Sequence, residues 1–213
     1  MSQIKSKQRV AKHGEVFTNQ REVSNMLDLV INETERIDSR FLEPACGDGN
    51  FLSEVLIRKL GVLKRKYSRN VLNYERNLIV AVSSLYGIDI LEDNVLECRE
   101  RLQEIAVNQY KELFELDNQT VEVIKYIIAK NIIWGDALTL LKINKEPIIF
   151  CEWTLVNDNY IKRRDFTLIE LLNFSPTNKD ERSLFSDLDE EVFIPTPIKE
   201  YSLVNYRRLT DYD

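Results

Sequence analysis

The chain has 213 residues, enough for one generous domain or a domain with a tail, and long enough to bury a sizeable core. A hydrophobic fraction of 44% and a charged fraction of 30% are ordinary for a globular protein, and no apolar run reaches the ~20 residues that a membrane span needs. Three cysteines without short pair spacing and a single histidine argue against a disulfide framework or a zinc site, and a net charge of −6 argues against a strongly basic nucleic-acid surface.

The first fifteen residues are polar and lack the apolar segment of a secretory signal, so the expectation is a cytoplasmic protein without a membrane partner. Charge is locally uneven. Lys5, Lys7, Arg9 and Lys12 crowd the start, Lys59, Lys64, Arg65, Lys66 and Arg69 form a second cluster, and Lys162, Arg163 and Arg164 a third. Each reads first as a solvated face, and the third as a group that could touch phosphates.

From Gln20 to Asn32, apolar residues at Val23, Met26, Leu27 and Val30 recur three and four apart, which predicts an amphipathic helix capped by Thr18 or Asn19. Arg40–Glu43 is a short strand stopped by Pro44, and a helical pattern runs from Phe51 to about Tyr67. Another helix spans roughly Arg69 to Val82 and leads into the strand Ser84–Asp89. Residues 91–115 read as one long helix, Thr120–Lys130 as a further one, Asn131–Trp134 as a strand ending at Gly135-Asp136, and Pro147–Cys151 as another strand. Strand and helix thus alternate over residues 40–151. That pattern predicts an α/β fold, a doubly wound, mostly parallel sheet with helices on both faces. Further on, Phe166–Phe174 suits a helix, residues 175–191 are polar, Phe193–Ile198 is extended around its prolines, and the final stretch is a strand or a tail. The chain divides accordingly into an N-terminal segment and helix (1–39), an α/β core (40–154) and a C-terminal extension (155–213) that completes the sheet or trails from it.

Three strand ends carry chemistry. Glu43-Pro44-Ala45-Cys46-Gly47-Asp48-Gly49 joins a strand to a helix, and its glycines let backbone approach a ligand while free N–H groups at the helix start favour a negative group. Phe51 and Leu52 stand where the dinucleotide fingerprint needs a third glycine, and no Gly-Lys-Ser/Thr is present, so neither a dinucleotide fingerprint nor a P-loop is spelled out. Asp89 ends the next strand, where an acid accepts ribose hydroxyls; it equally suits a helix cap. Gly135-Asp136-Ala137-Leu138 ends the third, where a short acid can meet an adenine amino group or simply make a turn. All three would line one edge of the sheet, around one nucleoside-sized space. None of them is a metal set.

FLEPACGDGNFL resembles the first motif of S-adenosylmethionine-dependent DNA adenine methyltransferases of restriction–modification systems. KHGEVFTNQREVSNMLDL resembles the segment before it in that family, with Asn19 in place of the usual proline after Phe17-Thr18, and YGIDILEDNV and IIWGDAL resemble the second and third motifs. The resemblance covers roughly residues 12–150. It implies a Rossmann-like methyltransferase fold whose N-terminal segment caps the site, and S-adenosyl-L-methionine as cofactor. Phe17 and Thr18 would lie near its methionine end, Glu43, Ala45, Gly47 and Gly49 would cradle it, Asp89 would hold the ribose, Ile90 would pack on the adenine, and Asp136 and Ala137 would meet the adenine edge. It also implies DNA as a partner, and DNA methylation as the activity, with a specificity or restriction subunit alongside.

The family's catalytic signature, Asn/Asp-Pro-Pro-Tyr/Phe after the fourth strand, is missing, since no Pro-Pro occurs anywhere in the chain. Two readings stay open. In one, Glu152 accepts the hydrogens of the target amine and Trp153 stacks on the flipped base. In the other, the fold binds cofactor without transferring its methyl group, or serves another acceptor such as RNA, a protein or a small molecule. Asn157-Asp158-Asn159-Tyr160 is a partial look-alike of the signature, and Trp153 also suits a core or interface position.

Overall fold

A computed structural model describes residues 6, 8, 9, 11, 18–173 and 195–212. Strands β1 (Phe41–Glu43), β2 (Leu85–Asp89) and β3 (Ile132–Asp136) form a parallel sheet in that order, extended by β4 (Leu141–Lys142), which runs antiparallel to β3. Helices α3 (Asn50–Tyr67), α4 (Val71–Ser83), α5 (Glu92–Leu113) and α6 (Asn118–Asn131) connect these strands. Over this region each apolar pattern in the sequence becomes the element expected, within two or three residues at its ends.

Helix α1 (Gln20–Asp28) starts at Asn19, whose side chain accepts from Arg21 N–H while Glu22 reaches back to the Asn19 N–H. It ends earlier than its pattern suggests, and a four-residue turn, α2 (Ile31–Thr34), follows. Val23 and Leu27 face the core, whereas Met26 and Val30 are exposed.

The two faces of the parallel sheet differ. Leu85 and Ile132 point into a large core made with α3, α4, α5 and α6, which pack against one another as one layer. Tyr86, Ile88 and Ile133 point the other way, onto Ile148, Phe150 and Leu168. The expectation of helices on both faces therefore holds for one face only. On the other, the described cover is a six-residue helix, α7 (Leu168–Asn173), and a second sheet.

That second sheet is the main departure from the sequence reading. The run Pro147–Cys151 extends into β5 (Ile149–Val156), which hydrogen-bonds along its whole length to an antiparallel neighbour, β6 (Tyr160–Thr167), instead of joining the parallel sheet. Strands β7 (Lys199–Glu200) and β8 (Val204–Asn205) pair with the far edge of β6. The C-terminal extension thus builds a sheet of its own rather than completing the first. Asn157 and Asp158, at φ of 48° and 62°, make the hairpin turn, a left-handed conformation that Asn and Asp tolerate. Asn157–Asn159, the start of the partial look-alike, is therefore the tip of a β-hairpin, and Tyr160 opens β6.

The chain's last described element, a 3₁₀ segment (Tyr206–Tyr212), is tied to the helix layer by a buried carboxylate. Glu75 accepts hydrogen bonds from Tyr110 Oη (2.5 Å), Tyr206 Oη (2.8 Å) and Arg207 Nη2 (2.5 Å). Burial first, and the Glu75 carboxylate second, push both tyrosine hydroxyls above their usual range. Among the described residues, no helix is long and apolar enough to cross a membrane.

Candidate functional site

Because β1, β2 and β3 run parallel, their C-terminal ends share one edge of the sheet, and Glu43, Asp89 and Asp136 lie there together. A cavity of about 830 Å³ opens at this edge, within the range of small-molecule sites. Thr18, Glu43, Ala45, Gly47, Asp89, Ile90, Asp136 and Ala137 all line it. Eight of the ten residues assigned to a cofactor from sequence are thus brought to one place. Phe17 lies outside the described residues.

Gly49 is the remaining one, and it does not line the cavity. It starts α3 at a φ of 88°, and a Cβ added to it would lie 2.8 Å from Cys98 Sγ. Its role is to let the loop close onto α5, not to touch a ligand. Gly47, at a φ of 53°, turns the loop so that its N–H donates to Asp89 Oδ2 at 2.9 Å.

Asp89 therefore does two jobs. Oδ2 holds the glycine loop, while Oδ1 accepts from Leu91 N–H (2.8 Å) and from Asn94 Nδ2 (3.3 Å). The helix-cap alternative is partly right: Asp89 braces the first turn of α5, although the capping position itself is Leu91. A carboxylate has about four lone-pair sites, so capacity to accept from a ligand remains. Asp136 Oδ1 accepts from Leu138 N–H at 2.9 Å in a tight turn, and Glu43 is met by Ala45 N–H at 3.4 Å. Burial raises the Glu43 pKa above the usual carboxylate value, against that N–H contact.

Among the described residues, no lysine or arginine lines this cavity. Glu43, Asp89 and Asp136 are held by N–H groups rather than by cations. Asp48 is the exception, since Arg101 reaches it from α5 at 2.8 Å while also holding Asn50 Oδ1 at 2.6 Å. Asp48, Asn50 and Asn94 line the cavity and were missed from sequence. Asp48 stands between the loop's two glycines, and Asn94 lies in the first turn of α5. Their positions were legible, but nothing local distinguishes a wall residue from a cap. The Cys46 thiol, also in the wall, is held above its usual pKa by the Cys98 thiol beside it and by burial.

Glu152 and Trp153 are elsewhere. Trp153 Nε1 donates at 3.0 Å to Asn131 Oδ1, and Asn131 Nδ2 donates to Ser83 O and Leu85 O, at the N-terminal end of β2. Glu152 is paired with Arg40 at 2.7 Å and Arg164 at 2.5 Å. Both residues thus sit at the edge of the sheet opposite the cavity, because β5 crosses to the second sheet. The reading that gave them a catalytic role is corrected: one is a core tryptophan with a satisfied indole, the other the centre of an ion-pair cluster. The third basic cluster is likewise engaged, with Lys162 on Glu200, Arg163 on Asp165 and Arg164 on Glu152. Arg163 is itself buried against Trp153 and Tyr201 rather than forming a solvated face.

No protein-family model, curated protein or solved structure matches the chain.

Proposed function

We propose that this chain is an S-adenosylmethionine-binding domain of the methyltransferase type, with a Rossmann-like core, whose described residues hold the cofactor but do not form the acceptor-activating half of a methyltransferase site. The observation that carries this reading is the charge of the cavity. Carboxylates from three successive strand ends surround one space whose described lining contains neither lysine nor arginine. Phosphate-bearing ligands such as dinucleotides and nucleoside triphosphates would meet the like charge of these carboxylates, with the N–H groups of the glycine loop but no cation among the described lining residues to offset it. A nucleoside carrying positive charge is favoured, and S-adenosylmethionine has both a sulfonium and an ammonium group.

The roles follow from position. Asp89 accepts from a ribose hydroxyl with the lone-pair site not used by Gly47, Leu91 and Asn94. Ile90, 46% exposed, offers an apolar surface to the adenine, and Asp136 and Ala137 meet its polar edge. Glu43 and the loop around Ala45 and Gly47 receive the amino-acid end, with Thr18 beside Asn50 in the cavity wall. When bound, the cofactor supplies an electrophilic methyl group. The residues lining the cavity bind and orient it.

Transfer to adenine in DNA, the activity the motif resemblance suggests, requires groups beyond these described lining residues, which a specificity or restriction subunit or another partner would supply. The distance of Glu152 and Trp153 from the cavity favours that division of labour over an autonomous enzyme. Calorimetry with S-adenosylmethionine, ATP and NAD tests the reading: binding of the first alone is expected, and binding of either phosphate ligand in its place would overturn it. Incubation with methyl-labelled cofactor and mixed DNA then separates binding from transfer, with no label in DNA expected for the chain alone.

A further inference from the structure

Arg9 belongs to the basic N-terminal cluster. Its guanidinium grips both carboxylate oxygens of Asp93, Nη1 to Oδ2 at 2.5 Å and Nη2 to Oδ1 at 3.1 Å. Nη2 also donates to Asn94 Oδ1 at 3.2 Å. Asn94 is 1% exposed, and the other end of its amide, Nδ2, donates to Asp89 Oδ1. Asp89 Oδ2 receives the N–H of Gly47. A continuous chain of hydrogen bonds therefore runs from Arg9 through Asn94 and Asp89 to the glycine loop. Nine positions after Arg9, Thr18 lines the same cavity, and Asn50 Nδ2 donates to its carbonyl at 3.4 Å. The described N-terminal residues thus touch the site at two separate places.

The Arg9–Asp93 pair is half in solvent, with side-chain exposures of 25% and 48%, so as an ion pair it stabilises little. Its consequence lies in the amide it touches. An asparagine amide offers an acceptor at one end and donors at the other. With Oδ1 facing the Arg9 cation, Nδ2 must face Asp89. Turned the other way, Oδ1 would confront the Asp89 carboxylate, acceptor against acceptor, and Nδ2 would confront the guanidinium, donor against donor.

Resting on the cofactor reading above, we infer that Arg9 is a positioning residue for the cavity: by fixing the amide of Asn94 it fixes Asp89, so that docking of the N-terminal segment on the first turn of α5 and ligand binding at Asp89 reinforce each other. Such coupling is reciprocal, and each event strengthens the other by the same factor.

The test uses the full chain and S-adenosylhomocysteine as the probe. Arg9→Ala and Asp93→Asn each weaken binding by about 5- to 50-fold, chiefly through faster dissociation. The double variant is no weaker than either single one, because both break the same link. In the other direction, saturating S-adenosylhomocysteine slows amide hydrogen exchange at Gln8, Arg9 and Ala11 of the wild-type chain and leaves it unchanged in Asp93→Asn. Thermal melts of the variants matching wild type exclude a folding defect. Affinity within twofold of wild type in both variants, or a double variant showing the product of the two losses, overturns the role of Arg9 while leaving the cofactor reading standing. A wild-type chain that binds neither S-adenosylhomocysteine nor S-adenosylmethionine overturns the cofactor reading itself, and this inference with it.

Discussion

The two ends of the parallel sheet use polar residues in opposite ways. At the N-terminal end, buried polar groups find partners within the protein. Lys59, with no exposed surface, donates to Ile37 O at 3.1 Å, to Ser84 Oγ at 2.5 Å and to the carbonyl of Ser39. Asn131 and Trp153 close a second set of bonds there, and Arg40 and Arg164 neutralise Glu152. At the C-terminal end, three carboxylates face a cavity whose described lining holds no cation. Asp89 is buried there and Glu43 and Asp136 are half-buried, and each meets N–H groups rather than a cation among the described residues. One end closes its polar groups on the protein itself, and the other turns its carboxylates towards the cavity.

Substitutions at the two ends should therefore separate stability from binding. The largest effect expected is on stability. Lys59→Ala removes three donors and leaves a hole in the core, lowering the unfolding free energy by about 3–5 kcal/mol in a denaturant titration. Next is Asp89→Ala, which should weaken S-adenosylmethionine binding about 100-fold by calorimetry, equivalent to about 2.7 kcal/mol. Unchanged affinity would remove Asp89 from the site.

Lys59 also predicts a pH dependence. Burial pushes its ammonium down to about 7, against a partial opposing pull from Asp38 and Glu33. Unfolded, the group titrates near ~10.4. Between these values the unfolded chain carries the extra proton, so the contribution of this group to stability rises with pH from about 7 upward, by at most ~1.4 kcal/mol per pH unit. Denaturation midpoints measured from pH 6 to 9 should show that slope, and Lys59→Met should flatten it.

Smaller effects sharpen the contrast. Trp153→Phe leaves Asn131 Oδ1 without its indole donor and should cost about 1–2 kcal/mol of stability with cofactor affinity unaltered. Glu152→Gln weakens ion pairs to two arginines that are themselves 56% and 37% exposed, so less than about 1 kcal/mol is expected. Its effect on cofactor binding should be nil, and a loss there would mean that β5 reaches the cavity after all.

Much of the first sheet could be read before any coordinates. Helical periodicity, Pro44 after a short apolar run and glycines at a strand end are local signals, and local physics decides them. The acids at 43, 89 and 136 converge because successive parallel strands must all point the same way, so their ends meet whatever the details. What could not be read was the course of the chain after residue 147. Ile148-Ile149-Phe150-Cys151 is apolar throughout, as suits either the next parallel strand or a strand buried between two layers, and only its pairing with β6 decides between them. The same choice carries Trp153 and Glu152 away from the cavity.

By itself, then, the sequence determined the strand ends, the glycine loop and the acids they present, because each depends on residues within one or two turns of chain. Only the tertiary structure decided that α3, α4, α5 and α6 form a single layer, that Gly49 packs on Cys98 rather than lining the cavity, and that Arg9 reaches Asp93 and Asn94 across more than eighty positions. These are contacts between distant segments, and no local preference of either partner encodes them.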